Sequence, residues 1–167
     1  MLAVGTNMET SSRMLSIAEK NSEYVYPAIG IHSTEFFKED INATLAFISD
    51  RVSLCSAIGE IGLDYWIKPV RKNRTLKEQQ QEVFKKQLEL AKEYGKPVSI
   101  HSRGAWRDCV NLVTSYWSST AIFHWYSGPF DALNDILDQG FYISCTPALK
   151  DSPELRNTMN KYLLKEF

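Results

Sequence analysis

The chain contains three histidines, and each one closes a short apolar run. Residues 28–31 lead into His32, residues 97–100 into His101, and residues 121–123 into His124. A fourth run, residues 56–59, leads into Glu60. Neutral imidazole nitrogen and carboxylate oxygen are the donors that borderline divalent ions take. Runs of this length, bounded by turn residues, read as buried parallel strands. In an α/β barrel the C-terminal ends of all strands open on one face, and that face carries the chemistry. The three imidazoles and the carboxylate therefore read as a metal-site arrangement on one rim.

The elements that must position them alternate regularly. Strands are expected over residues 2–4, 24–31, 54–61, 98–101, 121–124 and 141–144. Helices are expected over residues 10–21, 40–49, 76–94, 105–116 and 130–137. Their apolar residues recur at helical spacing: Met14, Leu15, Ile17 and Ala18 in the first, Ile41, Leu45 and Ile48 in the second, and Val83, Phe84, Leu88 and Leu90 in the longest. Gly95 and Gly140 follow helix ends, where a left-handed residue closes the last turn. Ser152, Pro153 and Glu154 open a final helix, serine as cap and proline in the first turn. Residues 63–74 read as a loop rich in aromatic and basic side chains. Alternating strand and helix implies a parallel sheet with right-handed crossovers. The fold class is α/β, a partial TIM-type (β/α)8 barrel with about six of its parallel strand-helix units, since a complete barrel takes ~250 residues.

With 167 residues, 44% of them hydrophobic, the chain is large enough for one domain, residues 1–167, with a sizeable core. Its formal net charge of −1 offers no electrostatic case for a long nucleic-acid groove but leaves room for a local basic site. Cys55, Cys109 and Cys145 are odd in number and widely spaced, which fits neither a zinc pattern nor a disulfide framework. Reduced thiols in a cytoplasmic protein are the simplest account. The start lacks a charged leader, and no stretch approaches the ~18 apolar residues of a membrane span.

Five segments carry candidate chemistry, each with a plainer structural reading beside it. In 59–65 (GEIGLDY), Glu60 sits between two glycines that let backbone approach a ligand closely. Its two oxygens suit it to bridge cations; the alternative is a structural ion pair at a strand end. In 97–103 (PVSIHSR), His101 points into the barrel mouth and Arg103 offers a planar donor fork to phosphate; the alternative is a buried histidine beside a solvated arginine. In 123–129 (FHWYSGP), His124 is a candidate ligand, and the Ser127–Gly128 turn can present N–H groups to an anion. Trp125 and Tyr126 either stack on a base or sugar or pack in the core, at least one of them the latter. His32, followed by Ser33 and Thr34, polarises a substrate or binds phosphate; with no second histidine nearby in sequence, a capping or hydrogen-bonding role is favoured. Lys68, Arg71, Lys72 and Arg74 either reach an anionic substrate or form a solvated charged loop.

Taken together, 59–65, 100–105 with Asp108, 124–128 and 140–144 resemble the TatD family of deoxyribonucleases, a branch of the metal-dependent hydrolase barrels. Order and spacing agree over essentially the whole chain. The resemblance implies a (β/α)8 barrel and hydrolysis of DNA phosphodiester bonds by metal-activated water. It also implies divalent ions, zinc, magnesium or manganese. Glu60 would bridge two metals and His101 and His124 would complete the second site, these three being the catalytic residues. His32, Arg103, Ser127 and Gly128 would face phosphate. The family's first strand carries a His-x-His pair and a late strand a Glu-Thr-Asp segment, and neither is present here. The expectation is a chain lacking the first and last strands, with the first metal site keeping only Glu60 and activity weak or absent. DNA or a nucleotide is the expected partner, no membrane is, and exposed sheet edges invite self-association. Two other readings stay open: a related hydrolase of small esters, amides or phosphoesters, and a non-catalytic metal-binding or self-associating fragment.

Overall fold

A computed structural model of the chain describes residues 1–116 and 120–163. Residues 164–167, part of the stop before the family's Glu-Thr-Asp segment, lie outside the described residues. In chain order the elements are β1 (Leu2–Gly5), α1 (Met8–Lys20), β2 (Tyr26–Ile29), α2 (Ile41–Arg51), β3 (Ala57–Gly62), α3 (Lys68–Arg71), α4 (Arg74–Glu93), β4 (Val98–His101), α5 (Trp106–Tyr116), β5 (Ala121–Tyr126), α6 (Phe130–Asp138), β6 (Tyr142–Cys145) and α7 (Pro153–Leu163). The six strands form one sheet in the order β1 to β6, every neighbouring pair parallel.

Local chemistry starts and stops these elements. Asn7, Asp40, Asn73 and Ser152 accept the orphan amides at the starts of α1, α2, α4 and α7, at 2.9, 3.1, 3.1 and 3.2 Å. Gly95 and Gly140 take φ of +63° and +74° just beyond α4 and α6, a conformation L side chains rarely adopt. The helices press apolar faces onto the sheet and build two clusters. One joins Ile58, Ile61, Val98, Ile100 and Phe123 to Phe84, Leu88, Val113 and Leu133; the other joins Ile29 and Ile31 to Phe36, Ile48, Val70 and Val83.

Several boundaries differ from the sequence expectation. The strand expected over 24–31 is confined to Tyr26–Ile29, because Ile31 bonds a side chain of α4 instead of a neighbouring strand. The strand expected from residue 54 begins at Ala57, after a 3-10 turn at Val52–Leu54. The expected loop 63–74 contains the single-turn α3, begun by Pro69 in its first turn. The strand expected to end at His124 runs on to Tyr126.

A candidate metal and phosphate cleft at the strand ends

Two sheet irregularities set the site. Ile58 pairs Val98 and Ile61 pairs Ile100, so three steps along β3 match two along β4, and the extra residue falls at Gly59–Glu60. Phe123 pairs Ile143 and Tyr126 pairs Cys145, so β5 carries its extra residue at His124–Trp125. A bulge re-aims the side chains beside it, and bulges in parallel sheets are rare. Both in this sheet fall on residues that carry candidate chemistry. Trp125 accommodates its bulge with φ +48°. The glycines around Glu60 also meet the neighbouring strand: a Cβ on Gly62 would overlap the His101 carbonyl oxygen, and one on Gly59 would stand 2.7 Å from Ser99. They let β3 lie against β4, which brings Glu60 to His101.

His32, Glu60, His101, Arg103, His124 and Ser127 line one cleft of about 440 Å³, together with Ser102, Trp125 and Thr146. Its centre is tight. His101 Nδ1 lies 3.2 Å and His32 Nε2 3.9 Å from Glu60 Oε1, and the two imidazole rings meet edge to face at 4.5 Å. Sequence distance had left His32 without a histidine neighbour; the parallel sheet supplies His101. One donor atom each from His32, Glu60 and His101 fall within 4.8 Å of one another, and two imidazoles with a carboxylate are a donor set that divalent ions take. His124 lines the cleft but stands outside this group, its Nδ1 3.0 Å from Ser144 Oγ. Gly128 is not among the lining residues: it packs under the Tyr126 hydroxyl and the Trp106 ring. Of the two neighbouring aromatics, Tyr126 is core, its hydroxyl donating to the Pro129 carbonyl at 2.6 Å, and Trp125 is the exposed one, stacked on His124 at 5.2 Å.

Asp64 is the residue the motif reading left without a role. Its buried carboxylate meets His101 Nε2 at 3.1 Å and Arg103 at 2.9 Å and accepts the Trp66 amide at 2.9 Å. His101 thus stands between two carboxylates, one on each ring nitrogen. Two buried glutamines were also missed. Gln87 accepts the Ile31 amide at 2.6 Å and donates to the Ile31 carbonyl at 3.1 Å, fixing the segment that carries His32. Gln80 accepts the Asp64 amide at 3.1 Å and donates to the Ser33 carbonyl at 2.9 Å. The signal was present: both fall on the apolar face of α4 with Val83, Phe84 and Leu88, where a polar residue must find partners.

The protonation pattern follows from this packing. Burial, and then His101 beside it, pushes the His32 pKa down to about 4, so the ring is neutral at physiological pH. Burial alone would raise Glu60 and Asp64, but hydrogen bonds from His101, joined at Asp64 by Arg103, outweigh it and hold both carboxyls below their usual range. Burial alone would lower His101; its bonds to Asp64 and Glu60 prevail and raise it. His32 Nδ1 accepts the Thr34 amide at 3.2 Å, which puts the proton of the neutral ring on Nε2, the atom facing Glu60. Cys55 and Cys109 are free and buried, Cys145 free and exposed. Among the described residues no helix is long and apolar enough to cross a membrane.

Consecutive parallel strands alternating with helices, with a histidine–carboxylate cleft at the C-terminal ends of the strands, are the arrangement of the TIM-barrel class. The sequence model of the TatD related DNase family matches residues 1–167, and the chain belongs to that family. It is 24% identical to the human deoxyribonuclease TATDN3, a match covering 100% of this chain and 62% of that protein. It is 31% identical to the 3'-5' ssDNA/RNA exonuclease TatD of Edwardsiella piscicida, covering 87% of this chain and 55% of the relative. The structure of YjjV, the TatD homologue of Escherichia coli, superposes with a TM-score of 0.75 at 26% identity, covering 85% of this chain and 54% of that one. The chain thus spans little more than half the length of these proteins.

Proposed function

We propose that the cleft holds a divalent ion on Glu60, His101 and His124 and hydrolyses phosphodiester bonds of DNA. The observation that carries this is that Glu60, His101 and His124, from the three strands β3, β4 and β5, line one cleft, with His101 Nδ1 3.2 Å from Glu60 Oε1. A divalent ion held by these residues would supply Lewis acidity toward a phosphoryl oxygen and toward water. The chain's own groups supply the rest. Glu60, held ionised by its histidine neighbours, offers a carboxylate at neutral pH. Asp64 fixes the ring of His101 through Nε2, so that Nδ1 faces the same space as Glu60. A histidine whose second nitrogen is held by a carboxylate is oriented and made more basic as a ligand. Neutral His32 directs its Nε2 proton into the cleft, toward Glu60 or a phosphate oxygen. Arg103 spends one arm on Asp64, and its guanidinium, with Ser127, faces the cleft for phosphate. The names of the relatives support a nucleic-acid substrate. Three free cysteines agree with a reducing, cytoplasmic setting.

Metal content of the purified chain and its titration with zinc and manganese test this reading. Stoichiometric binding that weakens more than about tenfold in Glu60→Ala and in His101→Ala is expected. Equal binding in wild type and both variants rejects the assignment. A parallel assay of single-stranded DNA cleavage should lose its metal-dependent rate in Glu60→Ala.

A further inference from the structure

The near-neutral chain has one strongly lopsided stretch. Between Trp66 and Lys77 lie Lys68, Arg71, Lys72, Arg74 and Lys77 and not one acidic residue. Lys68, Arg71 and Lys72 are exposed and form no ion pair among the described residues, while Arg74 pairs with Glu78 and Lys77 lies over the Tyr65 ring. The backbone beneath them is anchored: Val70 is fully buried, and Ile67 packs beside it on the same cluster. Lys68 and Arg71 therefore stand on a fixed turn, α3, and Lys72 directly follows it.

Trp66 opens the stretch and is 55% exposed. Its ring is fixed edge-on against Trp106 at 5.7 Å and lies where a Cβ of Gly104 would be. Its amide bonds Asp64, whose carboxylate holds Arg103, and the preceding Tyr65 amide bonds the Arg103 carbonyl at 3.0 Å. The patch is thus tied directly to the residue that brings a guanidinium into the cleft. An exposed indole held rigid beside three free cations matches single-stranded nucleic acid, whose bases stack on aromatic faces while its phosphates need cations. A duplex keeps its base faces covered and offers the indole nothing.

We propose that Trp66, with Lys68 and Arg71 on α3 and Lys72 just after it, forms a binding track for single-stranded nucleic acid leading to the cleft, Trp66 stacking on an unpaired base and the three cations neutralising successive phosphates. The proposal rests on the reading of the cleft as a phosphodiester site and adds where the strand runs beyond it. The three cations are exposed, lie outside the cleft lining and form no ion pair among the described residues, so replacing them should leave fold and metal binding unchanged.

The test measures binding of a labelled short thymidine oligonucleotide, in chelator to prevent cleavage, across a salt series. Wild type is compared with Lys68→Glu/Arg71→Glu/Lys72→Glu and with Trp66→Ala. Loss of three phosphate contacts should flatten the log affinity–log salt slope by about 2 and weaken binding roughly tenfold or more at moderate salt. Trp66→Ala should weaken the oligonucleotide roughly tenfold and leave an abasic strand of equal length unaffected. Unchanged slope and affinity in the triple variant overturn the track while leaving the cleft reading intact, since metal binding is measured on the same proteins. Wild type that binds metal but neither strand overturns the track as well. Failure of metal binding together with strand binding defeats the reading on which it rests. Binding of the patch to anionic phospholipid vesicles in preference to the oligonucleotide would replace it with a membrane surface.

Discussion

At the residue scale, Asp64 decides how well the site is made. It is buried, carries its charge, and divides that charge between His101 and Arg103. Asp64→Asn keeps the shape but loses the anion that holds both groups. Outer partners of a ligating histidine typically account for 10–100-fold in metal affinity, so Asp64→Asn should weaken zinc or manganese binding about tenfold or more in a calorimetric titration, with little change in the far-ultraviolet spectrum. The same residue gives the metal-free chain an acid dependence of known sign. Its carboxyl titrates below its usual value when folded, so its contribution is present at neutral pH and is lost as pH falls through the lowered folded value. Urea midpoints should therefore drop between neutral and strongly acidic pH more steeply in wild type than in Asp64→Asn; parallel curves would show that the carboxylate gains nothing from its partners.

At the element scale, α4 is a scaffold for two loops at once. Gln80 and Gln87 stand two turns apart on its buried face, and each offers both an amide donor and a carbonyl acceptor to a passing backbone. They substitute for the strand neighbour that residues 31–33 lack after β2 stops. Gln87→Leu preserves volume but strands a buried N–H and a buried C=O of Ile31, at about 1–3 kcal/mol. Thermal denaturation should register that loss, and amide exchange should show faster exchange in residues 30–34 than in β4. Uniform exchange would mean that the glutamine stabilises the whole fold and not the His32 segment. The bulges belong to the same scale. The glycines beside Glu60 permit close strand contact, and the bulge they flank turns the carboxylate toward His101.

At the scale of the whole molecule, the sheet is ordered β1 to β6 and the described residues include no pairing between its two end strands. Leu2 on β1 and Tyr142 on β6 are exposed. Unpaired strand edges with exposed apolar side chains template pairing with another chain, and we propose self-association through them. Sedimentation over a wide concentration range should reveal a dimer or larger species; a monodisperse monomer at the highest concentration rejects it.

The sequence by itself determined the order of the strands and the longer helices, several helix caps and the helix-ending glycines, because each of these rests on signals within a few residues of the chain. Asn73 can accept the Leu76 amide, and Gly95 can close α4, wherever the helix is put. It also determined which residues could do chemistry, because imidazoles and carboxylates at the ends of apolar runs are visible in a one-dimensional reading. Only the tertiary structure decided which of these residues meet. His32 lies 69 positions before His101 in the chain (101 − 32) yet touches its ring, because β2, β3 and β4 are adjacent and parallel and end together. The bulges that aim Glu60 and His124, the exclusion of Gly128 from the cleft, and the roles of Asp64, Gln80 and Gln87 were equally out of reach. Each depends on the register of one strand or the packing of one helix against residues distant in the chain, and register and packing are set by the whole core.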